Sequence, residues 1–229
     1  MSVITAGTVI FIKFSFIFSF ASIYPHGRFS YHRTMPTTHL LYLHGFRSSP
    51  ESAKARLMAA RVAACHSAVV WWCPQLPPSP QAAMELIDAG VANWPAGTMA
   101  VIGSSLGGFY ATAVANKRQD CKAVLLNPAV DPARDLTTYI GEQSNWQNPG
   151  EHFFFEARFI DELRALHTGP LTRPQDMLAI IAKGDEVLDW HEMAARYVGA
   201  QLLLLEGGDH ALSDFPAHLP GIFDFLALA

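Results

Sequence analysis

The run Met99-Ala100-Val101-Ile102-Gly103-Ser104-Ser105-Leu106-Gly107-Gly108-Phe109-Tyr110-Ala111-Thr112-Ala113-Val114 passes from apolar residues, through a small-residue turn, into a helix-like pattern. Strand, sharp turn and helix in that order are the parts of a G-x-S-x-G nucleophile elbow, here centred on Ser105. The elbow holds a serine in a strained conformation at the carboxyl end of a strand, so that Oγ projects from the sheet. Gly103 and Gly107 stand where a Cβ would collide with the reversed chain. The unpaired N–H groups and positive dipole end of the following helix suit an oxyanion beside Ser105.

Glycine and serine are common, so the elbow needs partners, and these are expected in the chain order serine, acid, histidine, each after a later strand. Met177–Ala182 reads as a buried strand followed by the turn Lys183-Gly184-Asp185-Glu186-Val187-Leu188-Asp189, which makes Asp185 the candidate acid. Gln201–Leu205 reads as another buried strand and runs into Glu206-Gly207-Gly208-Asp209-His210, which makes His210 the candidate base. The chemistry asks for these types. A serine hydroxyl is a poor nucleophile unless a neutral imidazole, with an ordinary pKa of ~6.5, takes its proton. A carboxylate on the far ring nitrogen fixes the tautomer and stabilises the imidazolium.

An oxyanion hole needs a second donor besides the Leu106 N–H. Leu40–Leu43 reads as a strand leading into His44-Gly45-Phe46, where Gly45 permits close approach and the Phe46 N–H is the candidate donor. His44 reads as a strand-end histidine that holds this loop through hydrogen bonds.

Five blocks now stand in order: Leu41–Ala55 with its His44-Gly45-Phe46-Arg47-Ser48-Ser49-Pro50, the elbow through Ala111, Leu126-Asn127-Pro128-Ala129, Gly184–Asp189, and Gly207-Gly208-Asp209-His210. Together they resemble the small bacterial YqiA-like esterases of the α/β-hydrolase superfamily. The resemblance implies an α/β-hydrolase fold and a cytoplasmic esterase or thioesterase acting on acyl esters, acyl-CoA among them. By position it gives Ser105, Asp185 and His210 as the catalytic triad, with no cofactor.

The remaining sequence bounds the alternatives. Half of the 229 residues are hydrophobic, enough for one substantial domain, and the net charge is −4. A mildly acidic chain without a basic stripe does not suit nucleic acid, whose phosphates require clustered Lys and Arg. Cys65, Cys73 and Cys121 form no C-x-x-C pair and fit a reducing compartment. The ten histidines include no H-x-x-x-H pair, so no metal is expected.

Residues 1–34 differ in character from the rest of the chain. Val9–Tyr24 is rich in Phe and Ile but is broken by Lys13. It lacks the basic n-region and cleavage site of a signal peptide, and its uncharged run is short for a membrane span. Membrane association is therefore expected only if residues 9–24 act as an anchor. A start placed too far upstream fits better, because Met35 immediately precedes Pro36-Thr37-Thr38-His39 and the first strand. The hydrolase domain is accordingly read as 35–229.

Within it, strand-like and helix-like runs alternate, the signature of βαβ units and a mainly parallel sheet flanked by helices. Ser49-Pro50 reads as the N-cap and first turn of a helix over 50–64, with Leu57 and Val62 on its buried face, and Ala68–Trp72 as the next strand. A second helix is expected over 81–94, and a strand over 123–126. The segment between Asn127 and Met177 is longer than a crossover requires and reads as a small helical cap. Its stripe of Phe155, Phe159, Leu163 and Leu166 would either pack on the domain or form an acyl-binding wall.

Overall fold

In the computed structural model, residues 35–118, 120–166 and 168–228 are described, so the expectations for residues 1–34 lie outside it. The strands are β1 (His39–Leu43), β2 (Val70–Trp72), β3 (Met99–Ser104), β4 (Lys122–Leu126), β5 (Gly141–Ser144), β6 (His152–Phe155), β7 (Met177–Ala182) and β8 (Gln201–Leu205). The helices are α1 (Ala53–Cys65), α2 (Pro80–Gly90), α3 (Leu106–Lys117), α4 (Pro132–Asp135), α5 (Arg158–Ala165), α6 (Trp190–Arg196) and α7 (Phe215–Leu226).

Six strands form one sheet in the order β2-β1-β3-β4-β7-β8, and every pairing in it is parallel. The period of two along each strand explains the two cores. Leu41, Leu43, Val101, Leu125, Ala179 and Ile181 face one side with residues of α2, α3 and α5. Leu40, Tyr42, Ile102, Val124, Leu126 and Ile180 face the other with α1 and α7. Strands covered on both faces read as continuous apolar runs, which is why β3, β4 and β7 are visible in the sequence.

The differences from expectation have local causes. α1 begins at Ala53 with Ser52 as N-cap, because Ser49 Oγ is already engaged by the Glu51 N–H in the preceding turn. α2 is capped by Ser79 and stops at Gly90, short of Trp94. β2 is limited to Val70–Trp72. β8 has the expected bounds but is not buried: Leu202, Leu203 and Leu204 are 36–40% exposed, since it lies at one edge of the sheet. An apolar run in sequence does not reveal whether anything covers it.

The insert after β4 is helical in α4 and α5 and adds an antiparallel β5–β6 pair. Phe153, Phe154 and Phe155 belong to that pair, not to a helix. Phe155, Phe159, Ile160 and Leu163 are core residues, so the stripe packs on the domain and does not form an acyl wall. Among the described residues, no helix is long and apolar enough to cross a membrane.

Candidate active site

Ser105 follows the last residue of β3 and occupies the N-cap position of α3. Its φ of 55° and ψ of −122° lie where an L-residue is strained, a cost of about 1–3 kcal/mol. The tight reversal explains the flanking glycines. A Cβ on Gly103 would lie 2.1 Å from the Gly107 carbonyl oxygen, and one on Gly107 would lie 2.0 Å from the Leu43 carbonyl oxygen.

Ser105 Oγ makes no cap bond and lies 3.0 Å from His210 Nε2. His210 Nδ1 lies 2.8 Å from Asp185 Oδ2. The other oxygen of Asp185 accepts from the Val187 and Leu188 N–H groups, each at 2.8 Å, and the Asp185 side chain is fully buried. An ionised carboxylate only accepts, so the His210 proton belongs on Nδ1 and Nε2 is left to receive the serine proton.

The neighbouring aspartates are engaged elsewhere. Asp189 caps α6 through the His191 N–H at 2.9 Å, and these hydrogen bonds hold its carboxyl below the usual carboxylate range. Asp209 accepts from Ser213 Oγ and N at 2.5 and 2.8 Å, which likewise lowers its pKa. Of the three, Asp185 alone reaches the His210 ring.

The amides of Phe46 and Leu106 donate to no described residue. Gly45 brings their loops together: a Cβ there would stand 3.2 Å from Ser105 Cβ. His44 holds the loop from below. Its Nε2 accepts from the Leu76 N–H at 3.1 Å, so Nδ1 carries the proton toward the Gly45 carbonyl at 3.0 Å. Both ring nitrogens are occupied, and burial lowers the pKa of His44.

A depressed histidine pKa places the associated stability above the ordinary value of 6.5, and that stability falls away as pH drops toward the folded-state pKa. The His44→Gln variant, which can still accept from Leu76, is expected to flatten the loss of stability between pH 6.5 and 5 measured by urea unfolding. Parallel curves for the two proteins over that range would refute the assignment.

Three residues of this site have no role assigned by sequence alone. Asn127, buried and at φ 42°, accepts from the Ala182 N–H at 2.8 Å and donates to the Asp209 and His210 carbonyls at 2.9 and 3.2 Å. It therefore ties the end of β7 to the histidine loop. Glu186 accepts from the His210 N–H at 2.9 Å. Arg47 fastens the Phe46 loop to the β5–β6 pair, donating to Ser144 O at 2.9 Å and lying 4.0 Å above the Trp146 ring. Asn127→Ala leaves the Ala182 N–H unpaired and is expected to cost about 3 kcal/mol. Urea denaturation checks this; a loss under ~0.5 kcal/mol would contradict it.

Ser105, His210, Phe46 and Leu106 all line one cavity of about 720 Å³, which the insert borders through Leu136, Tyr139 and Trp146. Among the described residues, no cluster of His, Cys, Asp or Glu could hold a metal ion.

The model of the Uncharacterised protein family (UPF0227) matches residues 39–227, from the first residue of β1 to the residue that follows α7. The chain belongs to that family. UPF0227 is the YqiA family that the five sequence blocks resemble. The fold of this UPF0227 member is similar to that of mouse alpha/beta hydrolase domain-containing protein 10, with 15% identity and a TM-score of 0.62 over 83% of this chain and 91% of that one. It is also similar to one solved chain from work on the metagenome-derived lipolytic enzymes LipS and LipT, at 18% identity and a TM-score of 0.63 over 84% of this chain and 95% of that one. An esterase domain from Rhodothermus marinus shares 19% identity, with a TM-score of 0.57 over 85% and 89%. At these identities the likeness establishes the α/β-hydrolase fold of the UPF0227 chain.

Proposed function

We propose that this UPF0227 protein is a serine esterase or thioesterase that hydrolyses acyl esters, acyl-CoA included, through an acyl-enzyme. The unbroken hydrogen-bonded line from Asp185 through His210 to Ser105, ending in an apolar-walled cavity, is the observation that carries the reading. Ser105 Oγ attacks the carbonyl carbon as His210 Nε2 takes its proton. The Phe46 and Leu106 N–H groups stabilise the oxygen that becomes negative. His210 then gives the proton to the departing alcohol or thiol, and the carbonyl re-forms as an ester on Ser105. Water attacks that ester with the same base, releasing the acid and restoring the serine. No cofactor enters any step. The esterase and lipolytic activities named for two of its structural neighbours are consistent with this chemistry.

The unpaired Cys65, Cys73 and Cys121 support a reducing, cytoplasmic setting. We further propose that residues 1–34 are dispensable, because every residue of the site follows Met35. A panel of p-nitrophenyl esters, acyl-CoA thioesters and peptide amides tests the whole reading. Ester or thioester turnover is expected, blocked by a fluorophosphonate, with protein starting at Met35 within about tenfold of the full chain in kcat/KM. Hydrolysis of the amides alone would move the enzyme to another bond type, and no turnover or labelling would refute the proposal.

A further inference from the structure

A second cavity, of about 490 Å³, adjoins the first. The two share His44, Gly45, Phe46, Arg47, Ser48 and Leu106, so the loop that carries the Phe46 amide is the wall between them. The Phe46 ring bridges that wall. It meets Tyr139, which lines the first cavity, at 5.6 Å between ring centroids, and Phe153, which lines the second, at 6.0 Å. Edge-on contact with the buried Phe155 at 5.1 Å fixes it from behind. The far cavity is walled mainly by Leu76, Pro77, Pro78, Leu86 and Phe153, although Gln75, Glu151 and His152 also line it, and neither Ser105 nor His210 reaches it.

We propose that the Phe46 side chain is the stop that sets acyl-chain length, closing the nucleophile cavity from a largely apolar chamber beyond. This rests on the esterase reading above. In that reading the leaving group lies toward His210, which protonates it, so the acyl chain runs the other way, past the Phe46 amide. A chain long enough to reach the ring meets it. The far chamber is accordingly latent in the wild-type protein. Removal of the ring joins the two spaces, and each further methylene buried there raises kcat/KM roughly fourfold.

The experiment measures kcat/KM on p-nitrophenyl esters from four to sixteen carbons. Wild type is expected to peak at short or medium length. Phe46→Ala keeps the backbone donor and is expected to raise the ratio of twelve-carbon to four-carbon kcat/KM at least tenfold, whatever the absolute rate. Phe46→Leu, which fills most of the space, keeps the wild-type profile. Leu86→Trp fills the far chamber from an exposed position on α2: alone it leaves the profile unchanged, and added to Phe46→Ala it abolishes the gain. Equal loss at every length in Phe46→Ala would make the ring merely structural and overturn the proposal. So would a fall in long-chain turnover on Leu86→Trp alone, because wild type would then already use the chamber. Calorimetric titration of Ser105→Ala protein with fatty acids of the same lengths, with and without Phe46→Ala, reads the partition without turnover. It separates failure of this inference from failure of the esterase reading.

Discussion

Ser105→Ala is expected to abolish ester turnover, by a factor on the order of 10⁶, and to eliminate fluorophosphonate labelling while the protein stays folded. Ser104 is the adjacent competitor, but it ends β3 as a buried strand residue in register with Leu126, and its neighbour alone faces His210. Ser104→Ala should therefore label normally and keep much of its activity. A companion variant tests the strain. Ser105→Gly is inactive but accepts the positive φ freely, so it is expected to be more stable than Ser105→Ala by about 1 kcal/mol in urea. An adduct mapped to Ser104 by mass spectrometry would overturn the assignment of the nucleophile.

Asp185→Asn is the next largest expected effect, a fall in kcat of about 10⁴-fold with folding intact. The amide oxygen can still accept from the Val187 and Leu188 N–H groups, so the turn survives. Its NH₂ would then face His210 Nδ1 and drive the ring proton to Nε2, where it can no longer receive the serine proton. Asp189→Asn and Asp209→Asn retain an oxygen for the His191 and Ser213 N–H groups and should change activity only a few-fold, at a cost under ~1 kcal/mol. An inactive Asp189→Asn beside a fully active Asp185→Asn would transfer the acid's role to Asp189.

The elements legible in sequence are those whose local chemistry and tertiary setting agree. β7 can be read at its actual bounds, because a strand buried on both faces needs an unbroken apolar run and a polar turn behind it. The order of Ser105, Asp185 and His210 is readable because each comes after a strand of one parallel sheet, whose carboxyl ends all lie on the same side. Asn127 stands inside the Leu126–Ala129 block without a visible role, since its three side-chain hydrogen bonds join segments more than fifty residues away in the chain. Arg47 is silent in sequence for the same reason, its partners lying on the insert. The β5–β6 pair is hidden because successive phenylalanines suit a helix face and a strand equally well.

The exposed edge strand bears on how long the proposed site stays assembled. β8 leads directly into the histidine loop, and its end is laced to the acid's turn, with Lys183 N–H donating to Leu205 O and Gly184 N–H to Gly207 O. The outermost, least covered strand of a sheet is the first to peel under heat or denaturant. When it does, His210 and the support of Asp185 leave together, while β1, β3 and β4 still hold Ser105 in its strained turn. On the proposed serine-hydrolase reading, heating is therefore expected to remove activity through this one marginal strand before the well-packed centre of the sheet gives way.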